Sequence, residues 1–205
     1  MAKEMGIWEV AVLALLREAP MHPYQMQRLL RDRHKDELLA LKRGSLYHAI
    51  GRLVRDELIA ASATGREGNR PERTTYRITP EGRRELTRVL RQMVAVPRRE
   101  SSEFLTAVSF LVQLAPNEAL ARLEERCQAL EGEIAQFKAQ MAGAAPHVLR
   151  IHLIESEYLV AMLSAELSWA RSLAADIRAG RLGWDAQTIF KDVRAARLAA
   201  RDGKE

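Results

Sequence analysis

This chain of 205 residues has one cysteine and no closely spaced pair of histidines, which excludes several kinds of disulfide and metal site. The single cysteine, Cys127, can form neither an internal disulfide nor a cysteine-ligated zinc site, and it favours a reducing compartment. The five histidines include no pair spaced three or four residues apart, as two metal ligands on one helix face would be. A glycine-rich phosphate-binding loop is missing as well. We therefore expect no metal, no cofactor and no enzymatic activity.

Long apolar segments are also missing. The longest one runs from Ile7 to Leu16, is interrupted by Glu9, and has about half of the ~20 residues that are needed to span a bilayer. The N-terminal residues show no signal-peptide pattern. We expect a cytoplasmic protein that makes no contact with a membrane.

Positive charge is concentrated in the first half of the chain. Residues 1–99 carry 20 lysines and arginines against 12 acidic residues, whereas residues 100–205 carry 12 against 15. This asymmetry indicates that only the first half faces a polyanion such as DNA. On charge alone, an arginine-rich solvated surface is an equally good interpretation, so the motifs must decide.

The most informative segment follows Gly44, with Ser45 as the predicted N-cap of a helix. Its apolar residues recur at the spacing of one helix face: Leu46, Ala49, Ile50, Leu53 and Val54. The opposite face presents hydroxyls, an imidazole and two guanidiniums: Ser45, Tyr47, His48, Gly51, Arg52 and Arg55. A helix that is apolar on one side and hydrogen-bonding on the other suits the major groove, which is about 12 Å wide.

A basic hairpin is predicted after this helix. Apolar residues 58–61 and an alternating segment, 73–78, flank a turn-rich stretch that carries Arg66 and Arg70. Thr79-Pro80-Glu81 then has the cap, proline and acid typical of a helix start. Three helices followed by a hairpin are the element order of a winged helix-turn-helix, whose hairpin arginines would reach the DNA backbone or minor groove.

The second half has only helical patterns. Residues 117–141 repeat every seven residues like a coiled-coil seam: Leu120, Leu123, Cys127, Leu130, Ile134, Phe137 and Met141. A second long helix is predicted from about residue 148 to 179. We therefore predict a mainly α protein, with a winged helix-turn-helix that has a small β-hairpin wing over residues 1–96. An all-α dimerisation domain is predicted over residues 97–205. An antiparallel hairpin within one chain is the alternative to dimerisation.

These motifs resemble the PadR family of transcriptional regulators. The similarity lies in Lys42-Arg43-Gly44-Ser45-Leu46-Tyr47, Leu58-Ile59 and the segment Tyr76-Arg77-Ile78-Thr79-Pro80-Glu81-Gly82-Arg83. The segment His22-Pro23-Tyr24-Gln25-Met26 also resembles the family's second helix, although proline stands where the family usually has glycine. Residues 100–180 look like the longer helical domain of one PadR subfamily. The resemblance implies a dimeric repressor that binds a pseudo-palindromic operator and is often released by a small molecule.

The predicted sites follow from the pattern and the resemblance together. The DNA-binding residues are Tyr24, Lys42, Arg43, Ser45, Tyr47, His48, Arg52, Arg66, Arg70 and Arg73. A small apolar or aromatic effector is predicted near the almost wholly apolar first helix: Trp8, Val12 and Trp169. The predicted dimer contacts are Leu120, Leu123, Leu130, Ile134, Phe137, Tyr158, Met162 and Trp169. A winged-helix module that binds protein, or a MarR-like ligand sensor, is the alternative.

Overall fold

A computed structural model of the chain describes residues 5–35, 45–65, 73–97 and 102–191. The chain divides into two compact units, Met1–Arg99 and Glu100–Glu205; the predicted boundary lay after residue 96. Helices predominate, and the described residues contain one two-stranded sheet. The predicted fold class, mainly α with a small hairpin, is confirmed.

The first unit has the element order of a winged helix. Its elements are α1 (Ile7–Glu18), α2 (Pro23–Asp32), α3 (Ser45–Arg55), β1 (Ile59–Gly65), β2 (Arg73–Ile78) and α4 (Pro80–Ala95). Two of the helices begin where the sequence predicts. Pro23 opens α2, and the preceding His22 caps it, since its Nδ1 accepts a hydrogen bond from the Tyr24 N–H at 3.1 Å. Thr79 caps α4 by accepting the Gly82 N–H at 3.0 Å.

Helix α1 lies at the centre of this unit. It contacts α3, α4 and β2, which explains why its sequence is apolar on almost every side. Val12 and Leu13 have no exposed surface at all. The other elements contribute one buried face each: Met26 and Leu30 of α2, Leu46, Ala49, Ile50 and Leu53 of α3, Ile59 and Ile78 of the strands, and Leu86 of α4.

The wing is an antiparallel pair in which Ile59 lies opposite Ile78, with a bulge between Ala61 and Ala63. The structure adds a contact that the sequence did not predict. Met21, between α1 and α2, forms a β-bridge with Tyr76, with N–O distances of 3.0 and 3.1 Å. This bridge extends the sheet edge by one residue and ties the wing to the start of α2.

The second unit is built on a long helical hairpin. Its helices are α5 (Glu103–Ser109), α6 (Pro116–Ala144) and α7 (Ile154–Arg178), with single 3₁₀ turns at Leu111–Gln113 and Arg150–His152. Ion pairs join Arg178 to Glu124 and Arg171 to Glu131, so α6 and α7 run antiparallel. Trp184, beyond α7, donates its indole N–H to the Leu114 carbonyl at 2.8 Å.

Most of the α6 seam is covered within one chain, so these side chains need no second subunit for their burial. That they form dimer contacts stays a prediction. Leu123, Cys127, Leu130 and Ile134 are buried against α7, whose matching residues are Leu167, Ala170, Ala174 and Ile177. The two alanines leave room for the helix backbones to approach closely. Leu120 packs at the edge of this cluster, and Phe137 is half-buried. The intramolecular hairpin, which was the alternative, therefore accounts for this seam.

Two predicted apolar faces extend past their cores. Leu86 and Val89 are the buried residues of the apolar stripe of α4, whereas the residues of its last turns, Leu90, Met93 and Val94, are exposed. Val54 at the end of α3 is exposed as well. In each case the helical period continues beyond the end of the surface against which the helix packs.

Candidate nucleic-acid interface

Helix α3 divides into an apolar and a polar face as predicted. Leu46, Ala49, Ile50 and Leu53 are buried, while Tyr47, His48 and Gly51 are exposed. Ser45 is half-buried at the first described position of the helix, so its role as a cap stays a prediction. The exposed face offers a phenol hydroxyl and an imidazole, which are groups that hydrogen-bond to phosphates and base edges.

Tyr24 is the second exposed tyrosine of the interface. It lies in the first turn of α2, where the backbone is held by the His22 cap and by a bond of 2.8 Å from the His22 N–H to Gln25 Oε1. Tyr24 and Tyr47 are 60% and 61% exposed, which is high for a residue that usually covers apolar surface. Both side chains are therefore largely accessible to solvent.

The basic residues of the predicted interface are only partly described. Lys42, Arg43, Arg66 and Arg70 lie outside the described residues. Arg73 begins β2, where it is paired with Gly65. On the same strand, Arg77 is exposed opposite Ala60, so this part of the wing presents a basic side chain to solvent.

Arg52 has a partner that sequence reasoning missed. Its Nε donates to Oε1 of Glu9 on α1, 43 positions away along the chain. This hydrogen bond raises the pKa of the Arg52 guanidinium above its ordinary value. Nε of the neighbouring Arg55 lies 3.4 Å from Oδ1 of Asp56. The signal for the missed residue was the one acid that interrupts the apolar first helix.

The predicted effector residues lie in two different units. Trp8 is buried in the core of the first unit, and Val12 is fully enclosed there. Trp169 belongs to the second unit, where its ring meets Phe104 edge to face at 5.8 Å. Arg126 covers the same Phe104 ring at 3.7 Å from its centroid and also pairs with Glu166. A ligand contact with Val12 would need a change in the packing of the first unit.

No helix within the described ranges is both long and apolar enough to cross a membrane. Over those same ranges, no three histidine, cysteine or acidic side chains are grouped as a metal ion would require.

Comparisons with known proteins agree with this geometry. Residues 12–88 match the transcriptional regulator PadR-like family. No curated protein matches the chain. Bacillus subtilis PadR in complex with operator DNA superposes with a TM-score of 0.68 at 19% identity, covering 84% of this chain and 99% of that one.

Two further solved structures are similar over both units. The p-coumaric acid complex of Bacillus subtilis PadR has a TM-score of 0.66 at 19% identity, and it covers 84% of this chain and 99% of that one. A PadR-like transcriptional regulator from Bacillus cereus has a TM-score of 0.57 at 18% identity, with coverages of 86% and 99%. At such identities the likeness establishes the fold. Residues 12–88 are thus similar to the transcriptional regulator PadR-like family, and the chain shares the fold of these solved structures.

Proposed function

We propose that this protein is a sequence-specific DNA-binding repressor that works as a homodimer and is released by a small molecule. The observation that carries the proposal is the exposed polar face of α3, which leaves Tyr47 and His48 free while the opposite face is anchored in the core. The basic first half of the chain supports a polyanionic partner. A winged helix that binds another protein would not need this excess of arginine.

The binding of DNA should depend strongly on salt. Each phosphate that a lysine or arginine neutralises contributes a slope of about −0.9 to the log–log dependence of affinity on salt concentration. We expect a duplex selected from a random library by the full-length protein to bind progressively more weakly between roughly 50 and 200 mM salt. A fluorescence anisotropy titration measures this. Affinity that does not change with salt, or no selected sequence at all, would favour the protein-binding alternative.

Tyr47→Ala should weaken binding to the selected duplex by about fivefold or more, the equivalent of one net hydrogen bond. The melting temperature should hardly change, because the ring lies mostly in solvent. Tyr47→Phe keeps the ring and removes only the hydroxyl, so it distinguishes the contributions of these two groups to binding. Arg70→Ala in the predicted wing is the comparison: it should weaken binding to all sequences alike. If both positions behave in the same way, α3 is not the element that reads sequence.

The proposed effector is a small apolar or aromatic molecule. A structural neighbour was crystallised with p-coumaric acid, which makes this compound the first probe to add to the protein–DNA complex. Trp8→Ala does not test the site cleanly, because it would leave a large cavity in the first unit. Trp8→Phe keeps most of the buried volume. It is the better variant for asking whether release of DNA depends on this ring.

The proposed dimer contact lies on the outer face of α7. Tyr158, Met162 and Trp169 lie within about 40° of one another at the helical rotation of ~100° per residue, and all three are exposed. The inner face of α7 is already covered by α6. A helix with apolar side chains on two sides is typical of a bundle that has neighbours on both. A second copy of the chain would supply the missing neighbour.

A further inference from the structure

Glu9 is the only almost fully buried charged residue among those that the structure describes. A carboxylate that loses its water is costly unless it is paired, and a buried ion pair is seldom more stable than apolar side chains of the same volume. One carboxylate oxygen, Oε2, has no hydrogen-bond partner. Packing of α1 therefore does not account for the acid at this position. Its partner, Arg52, is half-buried and borders the exposed face of α3, which points to a role at that surface.

The hydrogen bond uses only one edge of the guanidinium. Glu9 accepts from Nε, and the terminal amino groups of Arg52 make no hydrogen bond with any described residue. The Arg52 side chain is 39% exposed, whereas that of Glu9 is 9% exposed. The buried carboxylate thus holds the arginine by Nε, while Nη1 and Nη2 make no hydrogen bond within the described part of the chain and the side chain is partly exposed. A guanidinium fork matches a pair of acceptor atoms on one partner.

The surface beside this fork is open. Gly51 precedes Arg52, and among the described residues no atom outside the adjoining part of α3 lies within 4 Å of the place where a Cβ of residue 51 would stand. Alanine is favoured over glycine inside a helix, and no described neighbour requires the glycine. A duplex could therefore approach the α3 backbone closely at this point.

We propose that Glu9 is a positioning residue for DNA recognition: it holds Arg52 by Nε and directs the Nη1/Nη2 fork at paired acceptors on DNA. The inference rests on the proposed function. Guanine O6 with N7, and two oxygens of one phosphate, both present such a pair. Holding the arginine in its binding rotamer before DNA arrives removes part of the entropy cost of the contact.

The test uses full-length protein and the duplex that the wild type selects from a random library. Glu9→Gln keeps the shape of the side chain but weakens its hydrogen bond with Arg52. Arg52→Lys keeps the charge and a bond to Glu9 but has no fork. Glu18→Gln is the matched control, because Glu18 is on the same helix and also pairs with an arginine, Arg33, at 2.6 and 2.7 Å. It changes the net charge equally and does not involve α3.

We expect Arg52→Lys to weaken binding by about tenfold or more, and Glu9→Gln by at least about threefold relative to Glu18→Gln. The double variant Glu9→Gln/Arg52→Lys should bind no more weakly than Arg52→Lys alone, because Glu9 acts only through the arginine. If the fork reads guanine, base preference is lost at one position in each half-site. If it binds phosphate, preference survives, affinity falls for every sequence, and the salt slope decreases by about one.

Two results would overturn the proposal. One is a DNA affinity of Glu9→Gln that lies within about threefold of that of Glu18→Gln. The other is a double variant whose loss of affinity equals the sum of the two single losses. Thermal melting is recorded for each variant. If either single variant fails to fold, the double variant Glu9→Gln/Arg52→Gln takes its place, because it removes both charges together. The proposal then requires this double variant to bind DNA as weakly as is expected for Arg52→Lys. Wild-type protein that selects no sequence contradicts the proposed function itself, which separates that failure from this one.

Discussion

Gly82→Ala is expected to lower the free energy of unfolding of the first unit by about 3 kcal/mol. A Cβ at this position would lie 2.1 Å from the Leu58 carbonyl oxygen and 2.9 Å from Cγ1 of Ile78. The carbonyl cannot retreat freely, because it accepts hydrogen bonds from both the N–H and the hydroxyl of Thr79, at 3.1 Å each. The clash outweighs the gain of about 1 kcal/mol that alanine normally brings to a helix.

Chemical denaturation followed by circular dichroism measures this effect. Gly132→Ala is the matched control, since Gly132 lies in α6 and no described atom outside the adjoining part of that helix is within 4 Å of its Cβ position. This control should raise stability by roughly 0.5–1 kcal/mol. An unchanged or raised midpoint for Gly82→Ala would mean that α4 and the Leu58 backbone are not packed as described.

Met162→Glu is expected to dissociate the proposed homodimer without unfolding the chain. Met162 is 52% exposed within its own chain, so the carboxylate stays hydrated in a monomer and is buried only in an interface on the outer face of α7. Loss of the dimer should also weaken operator binding by roughly 10²- to 10⁴-fold, because the second half-site is no longer bound at high effective concentration.

Light scattering coupled to size-exclusion chromatography measures the mass, and an anisotropy titration measures the binding. Ser164→Glu is the control: it places the same charge on α7, two residues away and on a different, exposed side of the helix. The control should remain dimeric. A wild-type chain that is monomeric at micromolar concentration, or a control that dissociates as readily as Met162→Glu, would rule out this face as the interface.

Local patterns in the sequence were sufficient for much of the first unit. Pro23 and Thr79 mark helix starts because a missing N–H and a side-chain cap act within one helical turn. The period of Leu46, Ile50 and Leu53 identifies the buried face of α3 and, by subtraction, its exposed polar face. These features depend on neighbours a few residues apart, so they can be read along the chain.

Local patterns could not predict which segments cover these buried faces. Heptad spacing showed that α6 buries Leu123 and Leu130, but the same spacing suits another subunit as well as the α7 of the same chain. The pairing of Arg52 with Glu9 joins residues 43 positions apart, and the close approach at Gly82 joins α4 to the Leu58 backbone. The spacing of apolar residues indicates which side of a helix is buried. What covers that side depends on how distant segments pack together.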